Sequence, residues 1–132
     1  MVVLDTNILI YFFKGLGDVS RRMLMVPPKE IGIPAIVVYE LEVGIARSSS
    51  PKKRRQQLEE FCSLVNVLPF GRAAAAVTAS IRARLEKKGT PIGPHDLLIA
   101  GTALANNATL ITRNTKEFSR VPKLPLQNWY EG

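Results

Sequence analysis

Four acids interrupt an otherwise apolar patterning. Asp5 closes the run VVL, Glu40 lies inside IVVYELEVGI, Asp96 sits two residues past Pro94, and Glu117 stands with Asn114 in the turn behind ATLIT. Carboxylates brought together repel and raise one another's pKa. A divalent cation removes that conflict, and an all-oxygen set suits Mg2+, with Mn2+ as a substitute, better than zinc. Such an ion takes phosphate oxygens as further ligands, activates a water and offsets charge developing on the phosphate.

Each acid also has a plainer role. Asp5 can form an Asx-turn or cap the next helix. Asp96 suits the positive end of its helix, which is worth about 0.3–1 kcal/mol. Glu40 neighbours the core-facing Leu41 and has no such simple use, whereas Glu42 points to the opposite side of its helix and belongs in solvent. His95 has neither a second histidine nor a serine partner, so it is expected to shape the loop before its helix rather than move protons. No GxSxG elbow, Walker A loop or GxGxxG turn is present, and LDTN lacks the second aspartate of the aspartyl-phosphatase motif.

The elements that must position these acids follow from periodicity. VVL (2–4), IGI (31–33), VLPF (67–70), ATLIT (108–112) and LPLQNW (124–129) read as strands. TNILIYFFKG reads as a helix or turn, and helical spacing covers VSRRMLMV (19–26), AIVVYELEVGIAR, KKRRQQLEEFCSLV, RAAAAVTASIRARLEKKG and PHDLLIAGTALANN. Pro34 and Pro94 suit helix starts, SSSP (48–51) supplies caps, and Gly89 suits a helix end. Alternation of strands and helices predicts one α/β domain over residues 1–132 with a mainly parallel sheet. Ligands in such sheets collect beyond the carboxyl ends of the strands, where the following helices also begin. Asp5, Glu40, Asp96 and the segment Thr112–Glu117 are therefore expected on one rim, with Thr6 and Asn7 fixing the turn that holds Asp5.

Charge points the same way. The 132 residues carry 18 Lys+Arg against 11 Asp+Glu, a net charge of +7, which favours an anionic partner or serves solubility alone. The basic residues gather as Lys52, Lys53, Arg54 and Arg55, as Arg82 and Arg84 with the lysines after them, and as Arg113 and Lys116. None forms the apolar-and-basic helix of a membrane surface, so nucleic acid leads, and these residues are expected to contact its phosphates. A single cysteine, Cys62, suits a reducing cytoplasm and falls on an apolar helical face as packing. No apolar run approaches the roughly 18 residues of a membrane span, and no basic region precedes the first apolar residues as in a signal peptide. A basic surface around an acidic metal site fits nucleic-acid cleavage.

LDTNILI, YELEVG, KKGTPIGPHDLLIAG, TLITRNTKEF and LQNW, in this order, resemble the PIN-domain ribonucleases, and specifically the VapC toxins of type II toxin–antitoxin pairs. GTPIGPHDLLIAG is most similar to the subgroup that cuts initiator tRNA in its anticodon stem-loop. The resemblance implies a three-layer α/β/α sandwich, Mg2+- or Mn2+-dependent hydrolysis of RNA, a homodimer, and an antitoxin lying across the active site. It places the family's acids on Asp5, Glu40 and Asp96, with Thr112 as a small hydroxyl near the metal. The fourth position is open: many relatives have aspartate where Asn114 stands, and Glu117 is the other candidate. A PIN nuclease of RNA maturation and an inactive RNA-binding subunit are the competing expectations.

Overall fold

The computed structural model describes residues 1–132. Five parallel strands, β1 (Val2–Leu4), β2 (Ile31–Pro34), β3 (Asn66–Leu68), β4 (Thr109–Ile111) and β5 (Leu126–Gln127), form one sheet in the order β3-β2-β1-β4-β5. Seven helices connect them: α1 (Thr6–Lys14), α2 (Val19–Met23), α3 (Ala35–Ala46), α4 (Pro51–Leu64), α5 (Arg72–Lys87), α6 (Pro94–Ala105) and α7 (Thr115–Phe118). A strand covered on both faces must be apolar on both. Val3, Leu4, Ile33, Leu110 and Ile111 accordingly have no exposed surface.

The strand order determines where a site can form. The chain starts at the central β1, moves outward through β2 to β3, then returns to lay β4 on the other side of β1. Right-handed crossovers put helices on one face during the outward path and on the other after the return, giving three layers. The reversal falls between β1 and β4, and a crevice opens beyond the carboxyl ends of strands at such a point. β1 and β4 are in register from Val2 with Thr109 to Leu4 with Ile111, so Asp5 and Thr112 emerge side by side.

Local chemistry sets the helix limits. Asp5 caps α1 by accepting from the Thr6 backbone N–H at 2.6 Å, and Gly15 ends α1 in the left-handed region. Pro51 and Pro94 take first-turn positions, whereas Pro34 closes β2 and precedes α3. Gly101 of α6 is a packing requirement: a Cβ there would stand 1.7 Å from Thr78 Oγ1 on α5. No helix is long and apolar enough to cross a membrane.

Several boundaries differ from the sequence expectations. The second helix stops at Met23, not Val26, and Leu24 and Met25 are largely exposed, which removes the buried face that spacing suggested. The third strand begins at Asn66, whose amide donates to the Lys29 carbonyl at 2.8 Å, and ends at Leu68. Ser50 makes no side-chain cap for α4. TKEF (115–118) closes a helical turn, and Pro28–Glu30 a 3-10 turn. Cys62 is half-buried against the core, as a packing residue would be.

Candidate active site

Asp5 is buried although it is an acid, and two bonds hold it. Thr6 N–H donates to Oδ1 and Thr112 Oγ1 donates to Oδ2 at 2.8 Å. Thr112 Oγ1 also accepts from the Asn114 backbone N–H at 3.0 Å, which starts the turn into α7. Glu40 arrives from α3 and is joined to the same turn by Thr6 Oγ1, which donates to Oε1 at 2.6 Å. Its other oxygen lies 3.1 Å from His95 Nδ1. His95 in the first turn of α6 thus touches an acid directly, a contact that its place in the sequence does not suggest.

Glu117 and Asn114 act together. Asn114 Nδ2 donates to Glu117 Oε2 at 2.7 Å, and the Gly93 backbone N–H donates to Oε1 at 2.9 Å. Gly93 immediately precedes α6, so this bond ties the β4 turn to the helix that carries Asp96. Both candidates for the fourth position belong to one clasp.

The electrostatics are those of crowded carboxylates. Burial pushes the Asp5 carboxyl up, opposed by its bonds from Thr112 and Thr6, while the charges of Glu40 and Glu117 add to the rise. Asp96 is pushed up to about 7 by desolvation, then by Asp5 and Glu117. The start of α6 should favour its charged form by about 0.3–1 kcal/mol, so burial and like charge outweigh the helix. Glu117 goes the other way, held down first by the Gly93 N–H. Asp96 and Glu117 therefore divide the conflict, one inclined to keep a proton and the other to lose it.

An all-oxygen, mutually repelling set is the donor chemistry that a hard divalent cation stabilises. The fit rests on that chemistry and not on finished geometry. No group of three or more His, Cys, Asp or Glu side chains is arranged to hold a metal ion as it stands. Glu40 is engaged by Thr6 and His95, and Glu117 by Gly93 and Asn114, so ligation requires these carboxylates to re-aim.

Beside the acids lies a shallow cleft of about 260 Å3 lined by Asp5, Asn7, Tyr11, Arg113 and Asn114. A more apolar hollow of about 300 Å3 on the other side of Glu40 is lined in part by Ile10, Phe13, Leu41, Ile45 and Arg54. Of the basic residues expected to contact nucleic acid, Arg113 and Arg54 reach hollows containing a site acid, and Lys14, which the sequence did not single out, lines the hollow beside Glu40 as well. Lys52, Lys53 and Lys116 are exposed on their helices, and Arg55 pairs with Glu42 at 3.6 Å. Arg82 pairs with Glu86 at 3.3 Å, and Arg84 lines a separate depression with Val77 and Leu104, so neither joins the acids. Sequence reasoning passed over Gly93 and Tyr11. The only signal for Gly93 was its place before Pro94, and Tyr11 was masked by the apolar run around it.

The fold and these positions have known counterparts. The PIN domain family model matches residues 2–124, and the chain belongs to that family, within its VapC branch. It is 38% identical over 129 residues to "Ribonuclease VapC2" of Rickettsia felis, covering 96% of each chain. It is 35% identical over 127 residues to the "tRNA(fMet)-specific endonuclease VapC" of Salmonella typhimurium, again covering 96% of each. Among solved structures, the VapBC2 complex of Rickettsia felis bound to a promoter DNA fragment contains a chain that superposes with a TM-score of 0.90 at 36% identity, over 98% of this chain and 99% of that one.

Proposed function

We propose that this protein is the toxin ribonuclease of a type II toxin–antitoxin pair, hydrolysing RNA phosphodiester bonds with Mg2+ or Mn2+. The observation that carries the reading is the delivery of Asp5, Glu40, Asp96 and Glu117 by four segments to the β1/β4 reversal. Asp5, Asp96 and Glu40 would hold the cation, with the Asn114–Glu117 clasp beside them. When bound, the cation supplies positive charge opposite the phosphate and lowers the pKa of a water. Thr112 and Thr6 orient Asp5, and Thr6 also orients Glu40. The raised pKa of Asp96 belongs to the metal-free site, and a cation held there would favour its ionised form.

The substrate we favour is initiator tRNA, cut in its anticodon stem-loop. The name of the Salmonella relative supports initiator tRNA, the resemblance carried by GTPIGPHDLLIAG supports the stem-loop, and the surplus of basic residues suits the RNA backbone. A VapB-like antitoxin is the proposed partner, in keeping with the VapBC complexes of relatives. The apolar hollow beside Glu40 offers a place where a protein segment could cover the site. We also assign a homodimer and a cytoplasmic setting.

The competing reading is an RNA-binding subunit without catalysis, against which the presence of Asp5, Glu40 and Asp96 argues. Incubating the full chain with an initiator-tRNA transcript and Mg2+, Mn2+ or EDTA separates the two. Metal-dependent cutting supports the ribonuclease, and retention of bound but intact tRNA supports the binding subunit.

A further inference from the structure

Arg113 lies between Thr112, which holds Asp5, and Asn114, which holds Glu117, yet it is paired with neither acid. Its carboxylate partner comes from the C-terminal tail: Nε donates to Glu131 Oε1 at 3.2 Å. Its guanidinium carbon stands 3.6 Å from the Tyr130 ring centroid and 5.7 Å from that of Tyr11. Aromatic faces attract the cation and hold its plane. A long side chain that is ordinarily mobile is therefore fixed in the cleft that contains Asp5 and Asn7. Some 44% of it remains exposed, and a guanidinium has five N–H donors, so donors remain for an incoming acceptor.

The tail that clamps Arg113 is itself fastened. Trp129 is buried, and the Asp18 backbone N–H donates to the Tyr130 carbonyl at 3.0 Å. Asn128 Oδ1 accepts from the Tyr130 N–H at 2.9 Å, and the Tyr11 and Tyr130 rings meet edge to face at 4.7 Å. Gly17, with φ of +63°, lets the tail approach: a Cβ there would lie 2.7 Å from Tyr130 Cδ2. So much ordering around an exposed cation goes beyond what a surface ion pair explains, because such pairs contribute only about 0–1 kcal/mol.

We propose that the Tyr130–Glu131 tail, by clamping Arg113, builds a subsite for the RNA phosphodiester neighbouring the one that is cut. The proposal rests on the ribonuclease reading. Fixing the guanidinium beforehand removes the entropy that binding would otherwise cost, and its planar fork matches phosphate oxygens. A contact to a neighbouring phosphate is the same in ground and transition states, so its loss raises KM and spares kcat.

The test uses the full chain, an initiator-tRNA transcript and Mg2+, with steady-state kinetics and binding measured over a range of salt. Arg113→Ala is expected to raise KM about tenfold, as for one charge-assisted contact, with kcat nearly unchanged. The slope of log affinity against log salt should fall by about 0.7–0.9, one phosphate contact. Arg113→Lys should keep the slope but lose affinity, because an ammonium lacks the planar fork. Tyr130→Leu should raise KM similarly and add nothing to Arg113→Ala, since both remove one unit. If Tyr130→Leu does not fold, Glu131→Gln, at an exposed position, takes its place in that comparison. Unchanged KM and slope in Arg113→Ala would reduce Arg113 to a staple for the tail and overturn the subsite. Fully additive losses would overturn the clamp. Were wild type and Asp5→Asn equally unable to cut any tRNA, the ribonuclease reading itself would fall, which Asp5→Asn inactive beside active wild type excludes.

Discussion

Asp5 has two jobs, and they can be separated by substitution. Its side chain caps α1 and also faces Glu40 and Glu117. Asparagine caps a helix about as well as aspartate, whereas alanine costs about 1 kcal/mol. Asp5→Asn should thus cut RNA at least about 100-fold more slowly while unfolding in urea near the wild-type midpoint. Asp5→Ala should lose both activity and stability. Asp96 gives a pH signature. Its folded pKa, about 7, lies above the ordinary aspartate value of 3.8, so the folded state binds this proton more tightly than the unfolded chain. Its stabilising contribution is complete below about pH 4 and is lost as pH rises to about 7, and Asp5 shifts in the same direction. Metal-free Asp96→Asn should therefore melt higher than wild type at pH 8, with the difference shrinking toward pH 4. Equal pH dependence of the two melting curves would show that the acids do not repel as described.

At the level of elements, the site depends on how closely α5, α6 and the β4 turn are held. Gly101 lets α5 and α6 meet at Thr78, and overpacking such a contact typically costs about 1–3 kcal/mol. Gly101→Ala should lose stability of that order in urea unfolding. The Gly93–Glu117–Asn114 clasp is a smaller lever. Asn114→Ala removes one bond to an exposed charge, and should lower cleavage less than Asp5→Asn does, with little change in stability. Loss of cleavage as complete as in Asp5→Asn would instead make Asn114 a direct participant. The sequence made some of these features legible and hid others. Asp5 could be read because a short apolar strand leads straight to it, and the helix starts placed Glu40 and Asp96. The bond from Gly93 to Glu117 could not be read, because it spans 24 residues and uses a backbone donor. Tyr130 clamping Arg113 was equally hidden, since neither residue interrupts a periodic pattern. Spacing carries the second helix past Met23 because Leu24 and Met25 look like core residues, and only packing reveals that they face outward.

On the scale of the whole molecule, the strand order brings the functional residues together. Starting at the central β1 and reversing to β4 opens a crevice where Asp5 and Thr112 emerge as neighbours. The net charge of +7 gives the molecule as a whole an attractive field for RNA. The individual basic clusters contribute unequally by position. Arg82 is paired and Arg84 lines a separate depression, so neutralising both should leave the salt slope of tRNA binding nearly unchanged, whereas Arg113→Ala should reduce it. Only the Arg113 part follows from geometry at the acids. An equal fall in slope from the Arg82/Arg84 pair would indicate a footprint that extends over α5.

The most direct test of the central claim is to map the RNA ends produced from an initiator-tRNA transcript by wild type, Asp5→Asn and Asp96→Asn with Mg2+. The four-acid site predicts cutting by wild type that is abolished by EDTA and by either substitution, and the proposed substrate puts the dominant cut in the anticodon stem-loop. Equal cutting by all three proteins, or cutting that persists in EDTA, would contradict it.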